Sequence, residues 1–523
     1  MAPLLDDGRL NGSTNGGQSA AYKPRFLIIG AGSRGHAYAA AVLRSGLATV
    51  AAIAEPVAFK RQEFASTYIR PASKSSYQPE QEFNDWQSFL SYERTRRKGA
   101  SAGNPRTASG VDGVFVCVKD ELHHAVVTGL APLGLHIMCE KPLATSLSDC
   151  LSIQRTLASH PQRIFAIGHV LRYSPHNMLL RHLLLEKTVI GDVLSMEHTE
   201  PVGWWHYSHS YVRGNWRKES TTAPSLLTKS CHDIDFIMWM LCSPVENHKN
   251  DHLPSRISST GSLNQFKRQR KPKEAGETTN CMICPLVEDC MYSAKRIYYD
   301  RHLAKGIATW PVDIVYPELP SILSRQGPEA AQQALFKTLS EDYDAKTTPV
   351  SDIEGRNWYG RCVWESDNDV CDDQVVTITW PDDPVSGTGG KTAVFHMIAQ
   401  TLAQCERRGR IYGTAGEISY DSKSITVHDF QTDETEVHHP DVPVNSHHGG
   451  GDEGLTQCFV KAVVAVEGEK MAVEQAQRRF LGVTVEEAVR SHGVVFAAEK
   501  ARTEGSVIDW EEWWGAQVSK GRV

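Results

Sequence analysis

Long hydrophobic segments are missing from this chain. No apolar run approaches the roughly 18–20 residues that a membrane span needs. An excess of positive charge is missing too, because the formal net charge is −7, and the chain therefore lacks the basic field that attracts nucleic acid or anionic membranes. No internal repeat is apparent. These absences predict a protein that binds neither nucleic acid nor membrane.

An export signal and a dense cysteine framework are also missing. Residues 1–22 are rich in Gly, Ser, Asn and Asp and contain no apolar segment like that of a signal peptide, so we expect a flexible N-terminal tail. The 12 cysteines are scattered over 523 residues, whereas small secreted domains concentrate them. We therefore expect mostly reduced thiols and a cytoplasmic protein.

What the chain does contain, over residues 23–160, is an alternation of short apolar segments with helix-like stretches. This pattern predicts an α/β domain with a parallel sheet and right-handed crossovers. Residues 67–110 are polar and predict a long surface connection with one short helix near Glu82–Glu93. The predicted strands are Phe26–Ile29, Val50–Ala54, Val114–Val118 and His136–Cys139, and helices are predicted at His36–Ser45 and His123–Leu133.

The remainder, residues 161–523, predicts a second domain of α+β type. Val193–Val202 and Gln374–Trp380 alternate apolar and polar residues, as strands of an open sheet with one solvated face do. The polar stretch 243–365 is interpreted as an insertion, and a final helix is predicted from Val485 to about Thr503.

A glycine-rich turn, Gly30-Ala31-Gly32-Ser33-Arg34-Gly35, separates the first predicted strand from the first helix. Gly30 permits the tight turn, Gly32 lets a pyrophosphate approach the backbone, and Gly35 lets helix and strand pack closely. The helix start at Ser33 and Arg34 offers N–H groups to the phosphates. This turn predicts a dinucleotide site.

The second strand ends in an acid, Glu55, which lies 20 residues after Gly35. A carboxylate there holds the adenosine ribose hydroxyls and repels a 2′-phosphate, which favours NAD. Arg34, Lys60 and Arg61 are cations able to pair with that phosphate, so NADP stays open.

After the fourth predicted strand comes Cys139-Glu140-Lys141-Pro142-Leu143-Ala144. Together with the glycine turn, Glu55 and His123, this segment resembles the Gfo/Idh/MocA oxidoreductase family, which includes glucose-fructose oxidoreductase and inositol dehydrogenase. The resemblance continues through 168–241 and 374–502, and it omits the tail and most of the insertion. The chain thus resembles a larger subgroup with a cysteine-containing insertion.

The resemblance implies a Rossmann domain followed by a large, open, mostly antiparallel sheet that commonly pairs with a second copy. It implies NAD or NADP as the cofactor, with His123, Glu140 and Lys141 beside it. It also implies that Lys141 belongs to the active site and that the bond before Pro142 is often cis.

Oxidation of a secondary alcohol needs a base for the hydroxyl proton and a cation for the developing alkoxide. Lys141 is the candidate cation and His232 the candidate base. Asp235 lies three residues on, on the same helix face, and is predicted to orient the imidazole or contact the substrate; capping by His232 and Asp235 is the alternative. Sugar dehydrogenases of the family often carry Asp four residues before this His, where Thr228 stands. Lys229, which follows, is expected to replace that carboxylate or to bind an anionic substrate.

The stretch from His198 to Arg217 is dense in aromatic and polar residues. Indole faces stack on sugar C–H surfaces, and His and Arg bind hydroxyls or carboxylates, so it predicts a sugar or polyol pocket; a subdomain or dimer contact is the alternative. The candidate substrate residues are Arg172, Trp205, His206, Arg213, Trp216 and Lys229, with His169 and Tyr173 as second choices.

Three further segments have two interpretations each. Cys281-x2-Cys284-x5-Cys290 resembles a metal knuckle that lacks a fourth ligand, for which His302 is one candidate, and reduced loop thiols are the favoured interpretation. The segment His447–Asp452 is either a loop near the substrate or a surface turn, with the turn favoured. The basic run 267–273 is either an import signal or a solvated loop, with the loop favoured.

The leading functional hypothesis is an NAD(P)-dependent dehydrogenase or reductase acting on a sugar, cyclitol or related hydroxylated small molecule. Two alternatives stay open. Some proteins of this fold are glycosidases that oxidise their substrate transiently and turn over no cofactor. Others are regulators that sense a nucleotide without catalysis.

Overall fold

The computed structural model describes residues 22–70, 80–101, 110–160, 162–242, 252–384, 387–442 and 447–520. The predicted tail, apart from Tyr22, lies outside these residues. None of the helices within these ranges combines the length and the apolarity needed to cross a bilayer.

Six parallel strands form the first sheet, in the order β3-β2-β1-β4-β5-β6. The apolar segments predicted as strands are confirmed here, because β1, β4 and β5 are buried over nearly their whole length. The last strand lies beyond the predicted domain boundary at residue 160. The strands are β1 Arg25–Ile29, β2 Thr49–Ala54, β3 Glu82–Phe83, β4 Gly113–Val116, β5 His136–Cys139 and β6 Phe165–Ile167.

Helices flank this sheet and begin where local sequence favours it. Ser146 accepts the N–H of Asp149 and caps α5. The helix predicted near Glu82–Glu93 is wrong at its start, because residues 82–83 pair with β2 and the helix begins at Trp86. The helices are α1 Ser33–Ser45, α2 Ala58–Phe64, α3 Trp86–Ser101, α4 His123–Leu130 and α5 Leu147–Ala158.

Nine strands form the second sheet, in the order β14-β13-β12-β11-β7-β10-β9-β8-β15. All neighbours are antiparallel except β7 and β10, which confirms the predicted fold class. β8 falls inside the predicted insertion, so the insertion begins after it. The strands are β7 Val193–Pro201, β8 Arg256–Ser262, β9 Asp373–Trp380, β10 Lys391–Ile398, β11 Arg408–Gly413, β12 Gly416–Tyr420, β13 Ile425–Asp429, β14 Thr435–His438 and β15 Ile508–Asp509.

The remaining helices cover one face of the second sheet, build the insertion or return to the first sheet. The insertion helices have their own apolar core. Thr484 and Glu487 form a capping box that starts α15. These helices are α6 Pro175–Arg181, α7 Trp204–Tyr207, α8 Ser225–Leu241, α9 Val312–Val315, α10 Leu319–Gln326, α11 Pro328–Leu339, α12 Val350–Glu354, α13 Gly451–Glu467, α14 Val473–Ala476, α15 Val485–Glu504 and α16 Trp510–Lys520.

Helix α13 packs against the first sheet although it comes late in the chain. Phe459 of α13 lies between Phe26 and Phe115, with ring centroids 5.6 Å and 5.2 Å away. Helix α8, whose 17 residues are all buried, lies between the second sheet and α15. The candidate site, called the cleft below, lies where Lys141, just after β5, contacts Thr228 of α8.

Candidate functional site

The glycine turn joins β1 to α1. Gly30 has a φ of +100°, and a Cβ there would lie 2.5 Å from the carbonyl oxygen of Cys117. A Cβ on Gly35 would lie 2.1 Å from the carbonyl oxygen of Gly30, so packing excludes a side chain at both positions. Gly32 differs, because a Cβ there meets no atom within 4 Å. The space beside Gly32, at the N-terminus of α1, is the candidate pyrophosphate position.

This difference predicts opposite behaviour for two glycine variants. We expect Gly32→Ala to keep the wild-type melting temperature but to weaken NADH binding about tenfold or more, since a clash of roughly 1.4 kcal/mol suffices for that factor. We expect Gly35→Ala to lose about 1–3 kcal/mol of stability through overpacking. Thermal denaturation and NADH fluorescence titration measure both, and unchanged NADH affinity in Gly32→Ala would contradict this placement.

Glu55 follows β2 and lies beside the glycine turn. Its carboxylate accepts the backbone N–H groups of Ala31 and Val57, each at 2.9 Å. Arg61 donates to the Glu55 carbonyl oxygen at 2.6 Å. Because a carboxylate has about four acceptor positions, Glu55 is held in place and still able to accept hydroxyl groups.

Arg34 is engaged within the protein. Its Nε lies 2.7 Å from Glu140, and its two terminal nitrogens donate to Asp452 at 2.8 Å and 2.9 Å. The Tyr38 hydroxyl also donates to Glu140. Burial works against the Glu140 carboxylate, but Arg34 and Tyr38 outweigh it and hold its pKa below the usual range. The expectation that Arg34 pairs with a 2′-phosphate is therefore wrong, because two carboxylates occupy its donors.

The turn after β5 is held from two sides. The Lys141–Pro142 bond is cis, as the resemblance implied. The buried His123 ring places Nδ1 2.6 Å from the carbonyl oxygen of Pro142, and His492 of α15 accepts the N–H of Leu143 at 2.9 Å. The two ring nitrogens of His123 thus contact Pro142 of this turn and, at 3.2 Å, the carbonyl oxygen of Val118.

Lys141 reaches from this turn to α8. Its Nζ donates to the carbonyl oxygen of Thr228 at 2.8 Å and lies 5.8 Å from the ring of Trp216. The indole of Trp216 donates to Asp120 at 2.8 Å, and burial raises the pKa of Asp120 although His123 and Lys141 oppose it. The sequence analysis did not predict Asp120 as a site residue. Its position shortly after β4 is the feature that could have identified it.

His232 is buried in α8, and its Nδ1 has no hydrogen-bond partner among the described residues. Burial lowers its pKa well below the usual value, and Lys141 and Arg407 lower it further. His232 is therefore a neutral imidazole close to the Lys141 ammonium.

Asp235 does not contact His232 in this structure. Its carboxylate accepts two bonds from Arg172, at 2.7 Å and 2.8 Å, and one from Ser491 at 2.8 Å. His169 Nδ1 lies 3.0 Å away. The prediction that Asp235 orients the imidazole is thus wrong. Asp235 engages Nε and Nη2 of Arg172, whereas Nη1 has no hydrogen-bond partner among the described residues, so substrate binding by Arg172 stays a prediction.

Lys229 belongs to a buried group of charges between α8 and β7. Its Nζ lies 2.9 Å from Glu200, and Arg407 lies 3.0 Å from the other oxygen of that carboxylate. Arg407 also donates to Asp233 at 2.5 Å, and His198 lies 3.1 Å from Asp233. Two carboxylates balance two cations here. The sequence pattern placed His198 and Glu200 on one strand face and so predicted part of this group. It did not predict Arg407.

The predicted aromatic pocket divides into two parts. Trp216 lies at the cleft beside Lys141, and His206 places Nδ1 3.4 Å from Cys405 Sγ, which Lys229 Nζ approaches to 3.0 Å. Trp205 instead packs in the insertion core. Its assignment as a substrate residue is therefore wrong.

Arg213 is also inside the protein. It donates to the carbonyl oxygens of Arg361 and Tyr292, at 2.6 Å and 2.7 Å, and its side chain is buried. It ends a π-helical turn, Ser208–Arg213, which carries the guanidinium toward the insertion. The prediction that Arg213 binds substrate is wrong for this reason.

The cysteine motif lies in the insertion. Cys281 is buried with Sγ 3.4 Å from Arg213, while Cys284 and Cys290 are half-buried. Within the described ranges, the one trio whose ligand atoms lie within 4.8 Å of one another is instead His169, Cys231 and His492. Leu143 and Ala488 occupy both ring nitrogens of His492, so this trio does not offer three free ligands.

The segment predicted as a surface turn lies at the site instead. The ring of His448 lies near that of His232, with centroids 6.0 Å apart and the planes tilted by 53°, and its Nδ1 lies 3.2 Å from Asp452. Ser174 donates to the carbonyl oxygen of Gly449 at 2.9 Å. The preference for a surface turn is therefore wrong.

Residues 24–169 match a family model described as an oxidoreductase family with an NAD-binding Rossmann fold. The 2,7-anhydro-N-acetylneuraminate hydratase of Mediterraneibacter gnavus is 30% identical over 151 residues, 29% of this chain and 36% of the relative. Inositol 2-dehydrogenase 1 of Saccharopolyspora erythraea is 27% identical over 137 residues, 26% of this chain and 37% of the relative. The chain thus spans little more than a third of these relatives' lengths.

Solved structures resemble the whole described architecture at low identity. Levoglucosan dehydrogenase in complex with NADH and levoglucosan has a TM-score of 0.57 at 14% identity, covering 93% of this chain and 99% of that one. An oxidoreductase from Agrobacterium radiobacter in complex with NAD+, L-tartaric acid and magnesium has a TM-score of 0.54 at 12% identity, covering 94% and 100%. These similarities establish the fold.

Proposed function

We propose that this chain, which belongs to the Gfo/Idh/MocA oxidoreductase family through residues 24–169, is an NAD(P)-dependent dehydrogenase or reductase. Its substrate is a secondary alcohol or ketone of a sugar, cyclitol or related hydroxylated small molecule. The proposal is carried by the position of Lys141. Its side chain extends from the turn after β5 and contacts α8 beside His232, which is buried and neutral. A fixed cation beside a neutral imidazole suits a group that alternates between hydroxyl and carbonyl.

The residues around the glycine turn fit a dinucleotide. The open space beside Gly32 and the start of α1 would receive the pyrophosphate, and Glu55 would accept the ribose hydroxyls. Bound nicotinamide supplies the hydride acceptor or donor. The chain's own residues do the rest: Lys141 stabilises charge on the substrate oxygen, and His232 hydrogen-bonds the same group.

The floor of the proposed substrate pocket is the buried group of charges. Glu200 and Cys405 hold the Lys229 ammonium in one position. Trp216 and His206 would supply the indole face and a polar contact. Because Glu200 and Asp233 already neutralise Lys229 and Arg407, this floor favours a neutral polyol over an anion.

We expect NADH to bind more tightly than NADPH, since Glu55 faces the ribose position and Arg34 is engaged elsewhere. We expect Glu55→Gln to weaken NADH binding about 10–100-fold, the equivalent of a hydrogen bond to a charged group, and to narrow the preference over NADPH. Fluorescence titration of both cofactors measures this. A wild-type preference for NADPH would overturn the assignment of Glu55.

A redox-neutral reaction is the second candidate, because one relative that matches at 30% identity is a hydratase, and hydration leaves no net change in oxidation state. A panel of myo-inositol, levoglucosan, aldoses and aryl glycosides with NAD and NADP separates the possibilities. Net formation of NADH or NADPH would support the dehydrogenase. Product without it supports the redox-neutral enzyme, and tight cofactor binding with no product would favour a regulator.

A further inference from the structure

We propose that His448, held by Asp452, is a second acid–base residue of the cleft and carries the substrate proton, while His232 stays neutral and only hydrogen-bonds. This inference rests on the proposed oxidoreductase function. The resemblance to the family identified only His232 as a candidate base. His448 is more than 200 residues later in the sequence.

The segment that carries His448 is held in an uncommon conformation. His448 has a φ of +49°, in the left-handed region, and Gly449 and Gly450 follow with φ of +59° and +84°. Non-glycine residues seldom adopt this conformation, and those that do concentrate at functional sites. Ser174 fixes the segment through the carbonyl oxygen of Gly449. The backbone thus places His448 at the cleft rather than leaving it on a loose loop.

Asp452 determines which nitrogen of the His448 imidazole carries the proton. Its Oδ2 lies 3.2 Å from His448 Nδ1, and the carboxylate is itself held by two bonds from Arg34 at 2.8 Å and 2.9 Å. Burial opposes the Asp452 carboxylate, but Arg34 and then His448 outweigh that cost and lower its pKa. An ionised acceptor at Nδ1 makes that nitrogen the donor and leaves Nε2 as the basic one.

The other imidazoles of the cleft lack this support. Burial lowers the pKa of His232, as do the nearby cations Lys141, Arg407 and Lys229, and its Nδ1 has no partner among the residues that the structure describes. His206 is in the same situation, since burial and Lys229 lower its pKa. Around His448, by contrast, α13 contributes Asp452, α8 and α7 contribute neutral imidazoles, and Arg34 is shielded by its own carboxylates.

The proton balance is simple. When a secondary alcohol is oxidised, the C–H bond breaks and its electron pair leaves with hydride, for which the bound cofactor is the acceptor. The O–H bond of the hydroxyl on that carbon also breaks; its electron pair forms the second bond of the carbonyl group, and its proton moves to Nε2 of His448. The side chain of His448 is 32% exposed, so the proton can pass from there to solvent. Reduction runs the same path in reverse.

The first test needs no substrate. In full-length protein labelled with ring-¹⁵N histidine, the resonances lost in His448→Asn should show the proton on Nδ1 and a bare Nε2, and in Asp452→Asn the proton should redistribute toward Nε2, because the carboxylate acceptor is gone. The resonance lost in His232→Asn should not titrate between about pH 5 and 9. A His448 signal with its proton on Nε2, or one that Asp452→Asn leaves unchanged, overturns the proposal.

The second test uses the panel compound that turns over. We expect His448→Asn, which suits a left-handed backbone, to lower kcat about 10²-fold and to remove the acid limb of the pH profile. His428→Asn is the matched control, since that side chain is 33% exposed and also has an acid, Asp433, at 3.6 Å. A higher KM with an unchanged pH profile would make His448 merely structural. Absence of turnover with every compound counts against the proposed function, and the tautomer measurement of the first test then decides the His448–Asp452 pair.

Discussion

Lys141→Met should lower kcat by about 10²–10³, the range seen when one fixed electrostatic stabiliser is removed, while NADH affinity stays at the wild-type value. The Nζ donates to the Thr228 carbonyl oxygen and lies 5.8 Å from the ring of Trp216, which is the substrate side of the site under the proposed function. Its charge matters most when negative charge develops on the substrate oxygen, which happens only in the transition state.

Steady-state kinetics on the most active panel compound, with NADH titration alongside, measure this effect. Met keeps the length and apolar stem of Lys and removes only the charge. Lys187→Met is the matched control, because Lys187 is exposed on the second domain, and it should behave as wild type. Near-wild-type kcat in Lys141→Met would remove Lys141 from the chemistry.

The second large effect is on stability. Asp235→Asn should lower the free energy of unfolding by about 3–5 kcal/mol, the usual cost of breaking a buried ion pair. The substitution leaves the buried Arg172 guanidinium without a charged partner, and it replaces one of the two acceptor oxygens that Arg172 uses with an NH2 donor. Chemical denaturation of the holoprotein and the apoprotein measures the loss.

This prediction has a pH signature with a definite sign. Arg172 and His169 outweigh burial and hold the pKa of Asp235 far below its unfolded value, which is about 3.9. The stabilisation is therefore complete above roughly pH 4 and fades as the pH falls toward the folded pKa. The gap between wild type and Asp235→Asn should narrow below that pH.

Asp433→Asn is the control for this series, because the Asp433 side chain is 97% exposed and such changes stay within about 0.5 kcal/mol. The double variant Arg172→Met, Asp235→Leu should recover much of the loss, because two apolar groups leave no charge unpaired. A loss below about 1 kcal/mol in Asp235→Asn would refute the pairing as a source of stability.

The parts of the fold that sequence predicts are those set by local pattern. β1 and β5 are short apolar runs next to turn-forming residues, and both strands were predicted within one residue. The glycine turn was predictable because backbone sterics at Gly30 and Gly35 tolerate only that residue.

The site was harder because its pairings are long-range. Arg34 and Asp452 are 418 residues apart, and no local pattern connects them. Asp235 shares a helix face with His232, as its spacing predicts, but Arg172 from another element captures its carboxylate. Arg213 stands in a polar, aromatic stretch, yet a π-helical turn carries it into the insertion. The spacing of residues in the sequence determines which helix face a side chain lies on. Its hydrogen-bond partners depend on which other element packs against that face.

Helix α13 also sets the order in which the nucleotide domain can mature during synthesis. Phe459 fills the space between Phe26 and Phe115, and Asp452 completes the environment of Arg34. Synthesis runs from the N-terminus at about 5–20 residues per second, so the first sheet waits tens of seconds with an uncovered apolar face while the second domain emerges. The nascent chain therefore completes the surroundings of Arg34, beside the proposed dinucleotide site, only after most of the second domain has been made.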